Sequence, residues 1–123
     1  MKTKQPSKQR KRMYKAPLHR RQKMVNAHLS KELRKQYGKR SLGIRRGDEI
    51  RVMRGKHKGK TGKVDRVDLK RFKIYIENLK RNRSSGEETF IPFHPSNLLI
   101  TNAPIEDSRR KKIIDRGKKN EKT

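Results

Sequence analysis

Cysteine does not occur in the 123 residues, which removes a disulfide framework, a thiolate zinc site and a cysteine nucleophile in one step. Aromatic residues are scarce. Tyr14, Tyr37, Phe72, Tyr75, Phe90 and Phe93 are too few for a continuous base-stacking platform. The longest aliphatic run, Leu98-Leu99-Ile100, falls far short of the roughly 20 residues that a membrane helix needs. The basic N-terminal stretch leads into no apolar segment of the signal-peptide kind, so a soluble, non-secreted chain is expected. Acidic residues are outnumbered, 12 against 38 Lys and Arg, leaving a formal net charge of +26. Such a charge repels itself in a compact monomer, and a polyanionic partner is nearly required. A membrane surface is the poorer candidate, because the basic segments carry no interleaved large apolar side chains.

The charge is unevenly spread. Residues 1–46 hold 17 basic and 1 acidic residue, residues 47–101 hold 13 and 7, and residues 102–123 hold 8 and 4. Only the central segment has a balance that an autonomous unit tolerates, and it alone is dense in Ile, Val, Leu and Phe at alternating positions. The expected organisation is therefore a basic N-terminal extension with short helices over 1–46, a small β domain over 47–101 and a basic C-terminal tail over 102–123. Hydrophobic residues make up 28% of the chain, too few for a core of full length, so most of the first 46 residues are expected to be disordered or wrapped along a partner. The central 55 residues are marginal when free.

In the extension, Pro6 and Pro17 favour extended backbone before them and no apolar period precedes Leu18, which reads as an arm. From Leu18 to His28 a helical spacing gives one or two short turns. Ser30 then caps a helix through Tyr37, with Gly38 placed to end it and Leu29, Leu33 and Tyr37 forming one apolar stripe. In the centre Ile50 and Val52 alternate with Arg51 and Met53, and Phe72, Ile74 and Ile76 with Lys73, Tyr75 and Glu77, the period of half-buried strands. Val64 and Val67 have opposite parity, so the strand through them must bulge, bend or finish. Asp68-Leu69-Lys70-Arg71 reads as a polar turn, 81–86 as a longer one, and Pro95-Ser96-Asn97 as a turn before a last strand at Leu98 to Thr101. Five short strands at this spacing suggest a small half-open barrel. In the tail, Ser108 as a cap and Ile113-Ile114 on one face favour a helix on binding, an unfolded tail being the alternative.

The segment from Gly47 to Val64 carries the chemistry. Gly55, Gly59 and Gly62 let a backbone turn sharply and approach phosphate, while Arg54, Lys56, Lys58, Lys60 and Lys63 surround it with charge. A solvated hairpin tip is the plainer reading of the same lysines. The pattern Gly47-Asp48, an apolar pair, Gly55, Lys58-Gly59-Lys60, Gly62 and Val64 resembles the KOW motif of SH3-like barrels. Ala16-Pro17-Leu18-His19, Leu29-Ser30-Lys31-Glu32-Leu33, Val67-Asp68-Leu69-Lys70-Arg71 with Ile74-Tyr75-Ile76-Glu77, and His94-Pro95-Ser96-Asn97 extend the likeness. Together these segments resemble the large-subunit ribosomal protein twenty-four family, in the archaeal branch related to the eukaryotic protein numbered twenty-six. Two departures stand out: Gly43 where the branch often has proline, which should loosen the hinge between arm and barrel, and Asn78 where a strand commonly ends in glycine. Asn tolerates left-handed backbone best among the other residues, so that turn can survive.

The resemblance implies a mostly β fold, a small SH3-like (KOW) barrel with a basic arm carrying short helices and a basic C-terminal tail. It further implies a structural protein of the large subunit, on cytoplasmic ribosomes, near the exit of the peptide tunnel and engaged early in assembly with the 5′ region of the large rRNA. Its partners would be that RNA and neighbouring ribosomal proteins, with no cofactor, no homo-oligomer and no membrane insertion. The expected RNA contacts on the arm are Lys8, Arg10, Lys11, Arg12, Tyr14, Lys15, His19, Arg20, Arg21 and Lys23, followed by Arg34, Lys35, Lys39, Arg40, Arg45 and Arg46. In the loop they are Arg54, Lys56, His57, Lys58, Lys60 and Lys63, in the turns Lys70, Arg71, Lys80, Arg81 and Arg83, and beyond them His94, Arg109 and Arg110. Duplex RNA hides its base edges, so shape and backbone would be recognised. Tyr14 and Phe93 are the candidates for stacking, and Phe72 and Phe90 for packing.

Other chemistry finds little footing. Gly55 to Thr61 superficially matches a nucleotide-binding loop, but only three residues separate Gly55 from Gly59 and a strand follows. The four histidines never fall at metal-ligand spacing, so no metal is expected; His94 beside Pro95 reads as orienting a turn. Asp48 with Glu49, and Asp65 with Asp68, are explained by charge balance against Arg51, Arg66 and Lys63, and no nucleophile with a positioned base is visible, so no enzyme is expected. A KOW-type transcription factor or a chromatin protein shares the charge; the first usually carries a polymerase-binding domain for which this chain has no room, and the second would not need the ribosomal segments.

Overall fold

Ile50 and Val52 are fully buried while Arg51 between them is exposed, and Ile74 and Ile76 are buried on either side of half-exposed Tyr75. This alternation fixes strands β3 (Glu49–Val52) and β5 (Lys73–Asn82) with one face inward. The structure, a computed structural model, describes residues 2–121. Around these two strands it places α1 (Pro6–Lys15), α2 (Leu18–Met24), β1 (Asn26–Leu29), α3 (Lys31–Tyr37), β2 (Ser41–Gly43), β4 (Thr61–Asp68), β6 (Glu88–Phe93), a 3-10 turn (Pro95–Asn97), β7 (Leu98–Asn102) and α4 (Ser108–Glu121). The strands form one seven-stranded sheet in the order β2-β1-β7-β3-β4-β5-β6. It is mixed, β1 running parallel to β7 and the other neighbours antiparallel, and it is open, with β2 and β6 as its edges.

Two register shifts interrupt the inner strands, and the first answers the parity of Val64 and Val67. Val64 faces Ile76, but the next pair is Arg66 with Tyr75, so Asp65 is an extra residue and the bulge turns Val67 back toward the core. In β5 the register shifts between Tyr75 and Lys80, where Asn78 has φ +47. The strand does not end there; it kinks and continues, which is why Leu79 joins Ile74 and Ile76 inside. The turn after β4 forms as expected, with the Asp68 carboxylate accepting from the N–H groups of Lys70 and Arg71 at 3.1 and 3.3 Å.

The N-terminal extension differs from its expectation. Val25, Ala27, Leu29, Leu33, Tyr37, Leu42 and Ile44 are seven of the eighteen buried apolar residues among those described, so residues 25–44 pack into the same hydrophobic core as the centre. Two strands come from this region. The helical spacing from Leu18 stops at Met24, and Val25, Ala27 and Leu29 alternate instead; four residues are too short a window for that period to stand out in sequence. Ser30 and Gly38 act as expected, the Ser30 hydroxyl accepting from the Leu33 N–H at 3.4 Å and Gly38 closing α3 at φ +65. Residues 6–15 are helical rather than extended, because Pro6 at the first helical turn has no N–H to lose there. No residue of α1 is buried.

The tail folds as well. Asp107, not Ser108, caps α4, accepting from the Arg109 N–H at 3.0 Å. Arg110 and Ile114, one turn apart on α4, are both buried, and Ile114 joins the hydrophobic core. Gly43, expected to loosen a hinge, is paired with Asn26 in the sheet, and its carbonyl accepts from Arg110 at 3.2 Å.

Candidate nucleic-acid interface

The β3–β4 hairpin is built by two glycines in left-handed backbone, Gly55 (φ +90) and Gly59 (φ +89), where a side chain would be strained although the space around both is open. The Gly59 N–H donates to the Val52 carbonyl at 2.7 Å, and the Val52 N–H to the Lys60 carbonyl at 2.9 Å, which closes the loop. Gly62 serves a different purpose from the turn expected of it. A Cβ there would lie 2.6 Å from Ile76 Cγ2, so its hydrogen makes room for the core of β5. Arg54, Lys56, Lys58, Lys60 and Lys63 are all exposed. His57 turns inward instead, its ring 5.8 Å from that of Phe93 and edge-on, and its Nδ1 is buried without a hydrogen-bond partner. Phe93 is itself buried and is not available to stack on a base.

On the arm, Lys8, Arg10, Lys11, Arg12 and Lys15 lie on exposed α1, and Tyr14 is 65% exposed. His19, Arg20 and Lys23 are exposed on α2. Arg21 has an internal role: it donates to the carbonyls of Ala16 at 2.8 Å, Lys70 at 3.0 Å and Tyr14, and its guanidinium lies 5.6 Å from the centre of the Phe72 ring. That pin brings the arm against the β4–β5 turn, so Lys70 and Arg71 join the arm cations. The hairpin loop lies at the other end of β4, up to about 23 Å away by strand rise.

The remaining expected contacts divide by environment. Lys35, Arg40, Arg46, Lys80, Arg81, Arg83 and Arg109 are exposed. Arg34 is half-buried, with Nε lacking a hydrogen-bond partner. Lys39 lies along α4 near Gly117, and burial, followed by the nearby Arg116 charge, pushes its ammonium pKa below the usual range. His94 orients the turn after β6, its Nδ1 accepting from the Ser96 N–H at 3.2 Å. Arg45 pairs with Asp107. Arg110 is 3% exposed, with both terminal nitrogens on the fully buried Asp48 carboxylate at 2.7 and 2.6 Å and further bonds to the Pro104 and Gly43 carbonyls. Its guanidinium faces no solvent, and Asp48 is balanced from α4 rather than by a neighbour in the β domain.

Sequence reasoning passed over a row of side chains across β4, β5 and β6. The Arg66 guanidinium sits 4.5 Å from the centre of the Tyr75 ring, Tyr75 meets Phe90 edge-on at 6.2 Å, and the Lys80 ammonium lies 5.0 Å from the centre of the Phe90 ring. The signal was available in the parity of Tyr75 against Ile74 and Ile76. Among the described residues no three His, Asp or Glu side chains are grouped to hold a metal ion, and no helix is long and apolar enough to cross a membrane.

The class defined here is a small, strongly basic protein organised around one open mixed sheet, with glycine-turned and helical elements presenting cations to solvent. The family described as the eukaryotic ribosomal protein L26 and its archaeal counterpart, ribosomal protein twenty-four, matches residues 3–117, and the chain belongs to it. It is thus a structural protein of the large ribosomal subunit, in a family that is not one of enzymes.

Proposed function

We propose that the protein binds large-subunit rRNA through its arm and its β3–β4 loop, as an early assembly protein near the peptide exit tunnel, on cytoplasmic ribosomes and beside neighbouring ribosomal proteins. In this reading β3 to β7 form the SH3-like (KOW) barrel as a half-open curl of the sheet, and the bend at Asp65 supplies its curvature. The observation that carries the proposal is the exposure of the cations on α1, of those on α2 other than Arg21, and of those on the loop, while the acidic side chains with ion pairs, Asp48 and Asp107, are engaged by Arg110 and Arg45 within the fold. Phosphate contacts release condensed counterions, so log affinity falls by about 0.7 to 0.9 per contact with each tenfold rise in salt.

Residues 1–16 hold seven Lys and Arg and nothing buried among those described. Deleting them should lower the slope of log affinity against log salt by up to about 5 to 6, whereas Lys56→Ala, Lys58→Ala and Lys60→Ala together should lower it by about 2 to 3. Filter binding to a 5′-region rRNA fragment at several salt concentrations measures both. An equal or larger loss from the loop variant overturns the priority of the arm, and wild-type affinity that does not depend on salt overturns the reading itself. Duplex DNA of equal length, bound as tightly as the rRNA fragment, would favour a chromatin role instead.

A further inference from the structure

Between α2, the connection from β2 to β3, and β4 lies an open groove of about 540 Å³, within the size range of small-ligand sites. Its apolar lining is buried Ile44 with half-buried Val67 and Leu69, which pack on the core, while Arg46 and Arg66 are exposed at its rim and half-buried Arg45 is engaged by Asp107. The β4 bulge delivers two consecutive residues to this place. Asp65 is the unpaired extra residue, and Arg66 follows it with its guanidinium held against Tyr75. A planar cation fixed on one ring has a second face to offer another π surface. The Asp65 carboxylate has no ion-pair partner among the described residues, although three arginines line the same groove.

We propose that this groove receives a single unpaired nucleotide of RNA. The base stacks on the plane of Arg66, its exocyclic amino group donates to Asp65, the sugar lies over Val67 and Leu69, and Arg46 meets the phosphate. Charge decides the orientation. An apolar floor with a free carboxylate repels a phosphate but accepts an amino-bearing base, while the cationic rim suits the backbone. The inference rests on the rRNA-binding reading above and adds direct contact with a base to a protein otherwise recognising backbone and shape.

The test uses the full chain on large-subunit rRNA, with base-edge modification by dimethyl sulfate at A and C and by kethoxal at G, beside hydroxyl-radical footprinting of the backbone. Wild type should protect at least one unpaired A, C or G. In Arg66→Lys, which keeps the charge but not the plane, and in Tyr75→Leu, which removes the ring beneath it, that base should regain roughly fivefold or more of its reactivity, equivalent to about 1 kcal/mol of lost stacking. The backbone footprint should persist in both, and in the control Glu87→Gln, on the exposed β5–β6 turn, the base should stay protected. Arg66 is exposed, so Arg66→Lys is informative even where Tyr75→Leu fails to fold. Base reactivities identical in wild type and Arg66→Lys, with the backbone footprint present, overturn the groove and leave rRNA binding standing. No backbone footprint in wild type overturns both.

Discussion

Removing the Arg110 guanidinium leaves the Asp48 carboxylate charged, fully buried and deprived of two hydrogen bonds. Arg110→Met should therefore destabilise the fold by about 3 to 5 kcal/mol, and adding Asp48→Leu should recover much of that loss, because an apolar pair replaces a buried ion pair at little net cost. Urea denaturation of the two single variants and the double variant measures the coupling; strictly additive losses would contradict it. Asp107 makes a different, titratable contribution. The hydrogen bond from Arg45, then the Arg109 N–H, hold its carboxyl below the ordinary 3.8. The folded state thus binds this proton less readily than the unfolded one, so the contribution is complete above 3.8 and is lost as pH falls through the lower folded value. Asp107→Asn, which caps without titrating, should flatten that part of the acid limb in thermal melts recorded against pH, relative to wild type.

At the scale of elements, the contact between β4 and β5 depends on Gly62 having no side chain. Gly62→Ala forces Cβ to within 2.6 Å of Ile76 Cγ2 unless the strands shift, an overpacking worth about 1 to 3 kcal/mol. The expected result is a lower melting temperature; an unchanged one would mean that the strands part without cost. The legible elements were those with local signatures: α3 between Ser30 and Gly38, the Asp68 turn, the His94 turn and the strands with two or more alternating large apolar residues. The illegible ones were β1 and β2, of four and three residues, whose pairing partners are Leu99 and Ile100 for β1 and β1 itself for β2. Their stability comes from contacts remote in sequence, so no local pattern announces them.

For the whole molecule, the core decides what can be cut away. Deleting residues 1–16 should leave the thermal transition near its wild-type position, since nothing buried is lost among the described residues. Deleting residues 1–40 removes Val25, Ala27, Leu29, Leu33 and Tyr37 together with β1, and should abolish the cooperative transition in circular dichroism. A folded 41–123 fragment would show that the centre is autonomous after all. The candidate interface follows the same division. Its arm and loop cations were visible as charge runs, but the turning-in of Arg21, His57 and Arg110 and the groove beside Arg66 depend on which surfaces meet.

By itself the sequence determined the uneven excess of positive charge, the β character of the centre, the glycine-turned basic loop and the family, because charge density, two-residue alternation and motif spacing are properties of neighbouring residues. The tertiary structure alone decided where the core ends and which cations face solvent. Burial depends on contacts such as Leu29 beside Ile100 and Asp48 against Arg110, which lie 71 and 62 positions apart in the chain.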